Sequence, residues 1–373
     1  MQKIKVLVTG ANGFIGKNLV AHLKTNDSYE IFEFDIDTDF KLLETFTKKC
    51  DFVFHLAGVN RPKDIAEFEQ GNVDFTVKLL DLLKKSKRKA PFLISSSSQA
   101  VLDNDYGRSK TAAENAVKEY GKSQKVNTYI FRLPNVFGKW SRPNYNSAVA
   151  TFCHNIANGL DIQVNNTATE LNLVYIDDVV KAFIDCVDNK VERKEGFATV
   201  ATTHKVTLGE IVELLNSFKD SRKNHFVANQ TQNSFSKKLY ATYLSYLPKN
   251  DFSYPLKMNV DDRGSFSEFL KTDDFGQVSV NITKPNITKG NHWHHTKNEK
   301  FLVVAGKGVI RFRKLDESEI IEYNVSGDKL EVVDIPTGFT HNIENTGSTD
   351  LVTIMWASEA FDPNNPDTFF LKV

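Results

Sequence analysis

The chain has 373 residues, more than one core usually organises, so two domains are the default expectation. Lysine plus arginine and aspartate plus glutamate both number 47, and a net charge of zero offers no global field to draw in nucleic acid or an anionic membrane. Three widely spaced cysteines argue against a disulfide framework, and no apolar run approaches the roughly 18 residues of a membrane span, so a reducing, cytoplasmic setting is expected.

The opening MQKIKVLVTGANGF passes from a short apolar run straight into glycines, which reads as a first strand and not as a signal peptide. KIKVLVT is then a strand, 16–24 a helix, YEIFEFD a strand, 39–48 a helix and DFVFHLAG a strand. A helix over 73–85, the strand PFLISSS, a helix from about 109 to 122 and the strand NTYIFRL continue the alternation, with the lysines of 84–89 on a solvated helix end. Such alternation implies right-handed crossovers and a mostly parallel sheet covered on both faces.

Gly10, Gly13 and Gly16 follow a strand and open a helix. Glycine suits a tight turn where backbone must approach a pyrophosphate, whose charge the free N–H groups of the helix start can meet. Asp35 ends the second strand, where a carboxylate accepts hydrogen bonds from an adenine ribose and by itself favours NAD over a 2′-phosphorylated cofactor. Two readings compete with it: Asp35, Asp37 and Asp39 as solvated turn residues, and Arg61 reaching the ribose from another loop. Tyr106 and Lys110, in YGRSK after SSSSQ, are four apart and share a helical face. The ammonium can favour the phenolate while a nearby hydroxyl binds a substrate carbonyl, a set that moves a proton as hydride moves.

After about residue 246 the style changes. SYLPKNDFSYPLKMNVDDRG is a proline-bearing transition, and beyond it GQVSVNIT, KFLVVAGKGVIRFRKL, EIIEYNV, LEVVDIP, FTHNIENTG and DLVTIMWAS read as strands between polar turns, an all-β sandwich or barrel. Domains are therefore expected at 1–246 and 253–373. Within GNHWHHTKNEKFLVVAGKG, strand alternation sets His292 and His294 on one face and His295 on the other. Glu299 follows, and PTGFTHNIENTG supplies His341. Three imidazoles and a carboxylate suit zinc, iron, nickel or manganese, with His295 left outside.

These motifs carry two resemblances. On TGANGFIG, HLAG at 55–58, Asn72 in GNVDFT, the serine ahead of Tyr106 and Lys110, RLPNVFG and YIDDVVKAF, the first 245 residues resemble the extended short-chain dehydrogenase/reductase family of nucleotide-sugar enzymes. The resemblance implies a Rossmann fold with a nicotinamide dinucleotide held by Gly10, Asn12, Gly13, Phe14, Ile15, Gly16, Asp35, Leu56, Ala57, Gly58, Tyr106 and Lys110. It also implies catalysis by Ser98, Tyr106 and Lys110, with Ser97 the alternate serine, and substrate contacts at Asn135 and Arg142. The C-terminal part resembles cupins through His292, His294, Glu299 and Gly306 in one motif and Pro336, Gly338, His341 and Asn345 in the other. That implies a jelly-roll barrel with metal at His292, His294, Glu299 and His341. KGNHWHH also resembles the active-site strand of cupin deoxysugar epimerases, whose first histidine takes a proton beside a ketone. His292 is thus either base or ligand.

Together the two parts resemble bifunctional enzymes of bacterial capsular-polysaccharide synthesis. The resemblance implies C3 epimerisation of a UDP-2-acetamido-2,6-dideoxy-4-hexulose in the cupin, then NADPH reduction of its C4 ketone to UDP-N-acetyl-6-deoxy-L-talosamine, a precursor of N-acetyl-L-fucosamine. It further implies zinc and a homodimer. The alternatives are an NAD-dependent nucleotide-sugar epimerase whose cupin only binds, and a redox-sensing or scaffolding protein.

Overall fold

Strand β1 (Ile4–Thr9) is buried on both faces, as its unbroken apolar run requires: Val6 and Val8 enter one core and Leu7 the other. The structure is a computed structural model and describes residues 2–227 and 233–373. From β1 the chain runs through α1 (Phe14–Leu23), β2 (Tyr29–Phe34), α2 (Phe40–Thr47), β3 (Phe52–His55) and the short α3 (Ala66–Phe68). A π-helical stretch (Glu69–Asp74) leads into α4 (Phe75–Lys85), β4 (Phe92–Ser97), a 3₁₀ turn (Ser98–Val101), α5 (Asp105–Gln124) and β5 (Thr128–Leu133). The five strands form a parallel sheet of order β2-β1-β3-β4-β5, so the order reverses beside β1 and a ligand crevice lies at the carboxyl ends of β1 and β3. This is the expected Rossmann-type, short-chain dehydrogenase-like architecture.

Helix α5 starts four residues earlier than the expected 109 because Asn104 caps it, its side-chain oxygen accepting from Gly107 N at 2.8 Å. Tyr106 therefore sits in the first helical turn, not before it. Beyond β5 come β6 (Asn135–Phe137), α6 (Ala148–Ala157), β7 (Glu170–Tyr175), α7 (Ile176–Asp185), the pair β8 (Arg193–Lys194) and β9 (Phe197–Ala198), β10 (His204–Thr207), α8 (Leu208–Asn224) and α9 (Ser234–Leu244). Leu19, Val20 and Leu23 of α1 join Val179, Val180 and Phe183 of α7 over one sheet face, and Leu79, Leu83, Val117 and Tyr120 of α4 and α5 cover the other.

The chain divides into two units, one of Met1–Leu215 with Lys237–Leu247, the other of Asn216–Ser236 with Pro248–Val373. The segment Asn216–Ser236 thus groups with the C-terminal unit, whereas the sequence reading ran the first domain unbroken to 246. Hydrogen bonds account for it: Lys271 N donates to His225 O at 2.7 Å, and Val227 N donates to Lys271 O at 2.8 Å.

The C-terminal unit is all-β in its strands: β11 (Asn259–Asp261), β12 (Gly264–Thr272), β13 (Gly276–Thr283), β14 (Thr288–Trp293), β15 (Glu299–Ala305), β16 (Lys307–Lys314), β17 (Ile320–Ser326), β18 (Val332–Ile335), β19 (Phe339–Asn345), β20 (Leu351–Ala357) and β21 (Phe369–Phe370). They make two antiparallel sheets, of order β11-β12-β13-β20-β15-β18 and β17-β16-β19-β14-β21. The run KFLVVAGKGVIRFRKL breaks at Gly306, where φ is +81° and a Cβ would lie 2.6 Å from Asp350 O. Its two halves, β15 and β16, consequently enter different sheets. Phe301, Val303, Ile310, Phe312 and Ile343 share the core. Among the described residues no helix is long and apolar enough to cross a membrane.

Candidate functional site

The glycine turn after β1 is packed too closely for side chains. Gly10 has φ +69°, and a Cβ on it would lie 2.6 Å from Ala57 N, while one on Gly16 would lie 2.1 Å from Gly10 O. The turn is thereby pressed against Leu56–Gly58 at the end of β3. Gly13 caps α1 without a side-chain acceptor, so the first amides, at Phe14 and Ile15, are left for an anion. These features fit a dinucleotide pyrophosphate. Asp35 staples the second strand to this turn: Oδ2 accepts from Asn12 N at 2.7 Å and Oδ1 from Ile36 N at 2.8 Å.

At the end of β4 three successive serines are held differently. Ser95 O accepts from Lys110 Nζ at 3.2 Å. Ser96 Oγ donates to the fully buried Glu114 at 2.6 Å, and Arg132 grips the same carboxylate through Nε (2.9 Å) and Nη2 (2.7 Å). Ser97 Oγ accepts from Gln99 N at 3.1 Å, and the hydroxyl lies near enough to the Tyr106 phenol to temper the rise that burial imposes on its pKa. Ser98, the serine favoured from sequence, is exposed and opens the 3₁₀ turn. Strand β4 ends one residue before it, so the hydroxyl that faces Tyr106 belongs to the alternate, Ser97.

Lys110 is half-buried with its ammonium turned inward, and desolvation pulls its pKa down to about 8 against an opposing pull from Glu114. A Cβ on Gly58 would sit 3.3 Å from Lys110 Nζ and 2.9 Å from Asn72 Oδ1, so this glycine keeps the ammonium accessible. Asn72 accepts from Val59 N (2.8 Å) and donates to Val59 O and Ser109 Oγ (both 3.0 Å), and Ser109 donates to Tyr106 O at 2.9 Å. His55 lies behind, between Thr9 Oγ1 (2.7 Å) and Thr76 Oγ1 (2.8 Å), and burial lowers its pKa to about 3, so it stays neutral. Asn135 is exposed at the head of β6. Arg142 and Arg61, both exposed, place their guanidinium carbons 5.2 and 5.7 Å from the ring centre of Tyr145, whose hydroxyl donates to Asn60 at 3.0 Å.

In the C-terminal unit His292, His294, Glu299 and His341 converge, with one potential ligand atom of each within 4.8 Å of the others. His292 and His341 are paired across β14 and β19, and Glu299 opens β15 in the opposite sheet. A bulge between Gly290 and His292, with Asn291 at φ +59°, aims the His292 ring inward. His295 is exposed and packs on Trp293 and Phe369 instead, with ring centres 4.5 and 4.8 Å away.

The donor set fits a metal on two counts. Glu299 Oε2 is 3.4 Å from both His294 Nε2 and His341 Nε2, too long for a good hydrogen bond. Yet about 3.4 Å is the edge of a tetrahedron with bonds of about 2.1 Å. Second, His341 is 1% exposed and neither ring nitrogen has a hydrogen-bond partner, while His294 Nδ1 donates to Asp367 O at 2.6 Å. A neutral His294 must then turn a bare Nε2 lone pair toward a carboxylate, an arrangement that a cation between them would stabilise.

The four groups line a cavity of about 710 Å³ together with Lys289, Lys297, Arg263 and Phe301. Burial, with His341 next, lowers the His292 pKa to about 4, so the ring is neutral near pH 7 and can either ligate or accept a proton. Lys289 donates to Asn281 Oδ1 and Ile282 O, both at 2.8 Å. Sequence reading missed Lys289, Lys297 and Asp367, because a lone lysine or aspartate carries no spacing signal.

Residues 6–199 match the NAD dependent epimerase/dehydratase family, and residues 259–369 match the Polysaccharide biosynthesis C-terminal domain. The chain is 46% identical over 370 residues, 99% of each protein, to UDP-2-acetamido-2,6-beta-L-arabino-hexul-4-ose reductase of Pseudomonas aeruginosa. It also resembles the crystal structure of capsular polysaccharide assembling protein CapF from Staphylococcus aureus, with a TM-score of 0.94 and 57% identity over 99% of this chain and 100% of that one. A likeness to UDP-glucuronic acid 4-epimerase of Bacillus cereus (TM-score 0.55, 19% identity, 65% of this chain and 96% of that one) speaks to fold alone.

Proposed function

We propose that this chain, a CapF-type member of the NAD dependent epimerase/dehydratase family, epimerises C3 of a UDP-2-acetamido-2,6-dideoxy-4-hexulose and reduces the C4 ketone. The product is UDP-N-acetyl-6-deoxy-L-talosamine, a precursor of N-acetyl-L-fucosamine for capsule. The observation that carries the reading is the joint presence of the Ser97–Tyr106–Lys110 set and the His/Glu cluster in a single chain.

The glycine turn of the N-terminal unit would hold NADPH, which when bound would supply a hydride for C4 of the sugar, and Tyr106 donates its phenolic proton to the C4 oxygen. Ser97 steadies the carbonyl, and the Lys110 ammonium favours the phenolate left behind. Both Asp35 oxygens accept backbone amides, which supports a turn-holding role for that carboxylate. Arg61 and Arg142, two like charges around Tyr145, suit the diphosphate of the nucleotide sugar, with Asn135 a further substrate contact.

The C-terminal unit is a cupin jelly roll, in keeping with its paired antiparallel sheets. His294, Glu299 and His341 would hold zinc, which would supply Lewis-acid stabilisation of negative charge on the substrate oxygen. His292 meets this set by ring contacts of 5.0 Å to His294 and 4.5 Å to His341, and faces the cavity as the base that removes the C3 proton. The proton returns on the other face from a solvent-exchangeable donor. The enzyme is a cytoplasmic homodimer, a state that sedimentation measures directly.

His292→Ala tests the scheme. It should abolish solvent deuterium entry at C3 while keeping bound zinc and NADPH oxidation with pre-epimerised ketone. Persistent deuterium entry removes His292 as base, and loss of zinc makes it a ligand.

A further inference from the structure

The last residues of the chain reach into the His/Glu cluster in a way no sequence motif announces. Strand β21 pairs with β14 so that Phe370 lies opposite His292. Just before it, the Asp367 carboxylate takes the amides of His295 (2.9 Å), Thr296 (2.9 Å) and Lys297 (2.8 Å), and the Thr296 hydroxyl at 3.1 Å. The same residue's backbone carbonyl accepts from His294 Nδ1 at 2.6 Å. Lys297 Nζ adds bonds to Pro366 O (2.8 Å) and Thr368 Oγ1 (2.9 Å).

We propose that Asp367 is a positioning residue for the metal-binding cluster: its carboxylate grips the 295–297 backbone and thereby presents its own carbonyl to His294. A carbonyl can only accept, so the ring hydrogen is held on Nδ1 and Nε2 is kept as a free lone pair aimed at the Glu299 side of the cluster. Without the grip the ring can take the other tautomer and donate Nε2–H to Glu299, which closes both groups to a metal. The carboxylate is suited to this task because three convergent amides form a small anion cradle and leave little freedom to the residue between them. The proposal rests on reading the cluster as a metal site.

The test uses the full-length protein and two measurements. Zinc affinity, by competition with a chromophoric chelator, should fall roughly 10- to 100-fold in Asp367→Ala, the usual effect of losing a partner behind a ligating histidine. Ring-nitrogen NMR of the metal-free protein should show His294 as the Nδ1–H tautomer in wild type and a shift toward Nε2–H in the variant. Thr368→Val, which removes a Lys297 contact and leaves Asp367 in place, should keep both values close to wild type. Unchanged affinity and tautomer in Asp367→Ala overturn the proposal, as does an equal loss in Thr368→Val, which would mean the tail acts only by general packing. Failure of wild type to bind zinc would sink the metal reading, and the tautomer measurement would still decide the role of Asp367.

Discussion

Replacing Lys110 by methionine should make the protein more stable and the reductase inactive. Burial lowers the Lys110 pKa from 10.5 to about 8, so its charged form is disfavoured in the fold by about 3 kcal/mol at pH 7, at about 1.4 kcal/mol per pKa unit. Methionine preserves much of the apolar stem and gives up the bond to Ser95 O, a loss of about 1.5 kcal/mol for a charged donor. The net gain is then about 1 to 2 kcal/mol, or roughly 2–8 °C in the melting of this unit. The sign with pH is fixed. Between pH 8 and 10.5 the unfolded chain binds more protons at this lysine than the folded one, so wild-type stability rises through that window. The advantage of Lys110→Met should therefore be complete below pH 8, shrink above it and lose its electrostatic part beyond pH 10.5. Thermal melting of both proteins from pH 7 to 10.5, with NADPH oxidation alongside, measures it. A variant that is less stable at pH 7, or a gap that does not change with pH, would refute the reasoning.

Ser97→Ala should lower NADPH-dependent reduction by roughly 100-fold, while Ser98→Ala stays within about twofold, since Ser97 and not Ser98 acts on the Tyr106 phenol. Glu114→Ala strips the carboxylate from Arg132 and Ser96 and should destabilise the N-terminal unit by about 3–5 kcal/mol in urea unfolding followed by a probe in that unit. Gly16→Ala sets a Cβ 2.1 Å from Gly10 O and should abolish NADPH binding measured by nucleotide fluorescence.

The parallel sheet was legible because its strands are apolar on both faces and its helices on one, a pattern that local burial enforces. Strand β12 escaped the reading, for GSFSEFLKT carries small or polar residues that line a cavity instead of a dry core. Alternation set His292 and His294 together and turned His295 away, while Glu299 and His341 came from the stretches that follow and face them. The serine was not, because sequence distance to Tyr106 does not reveal where β4 stops and the 3₁₀ turn begins. Nor was the grip of Asp367, which joins residues about 70 positions apart through backbone amides that have no sequence identity to read.

The serine run at the end of β4 looks like low-information sequence, yet its members differ in what they serve: the Ser95 carbonyl takes Lys110, the Ser96 hydroxyl takes Glu114 and the Ser97 hydroxyl acts on the Tyr106 phenol. A one-residue insertion or deletion leaves such a run of identical residues looking much the same. Here a slip of one residue would reverse which hydroxyl faces the buried carboxylate and which faces the phenol, since side chains alternate along a strand. The tract should therefore accept exchanges of identity at Ser98 far more readily than any change in its length, and heritable variation at this locus should be filtered by frame of the strand more than by chemistry.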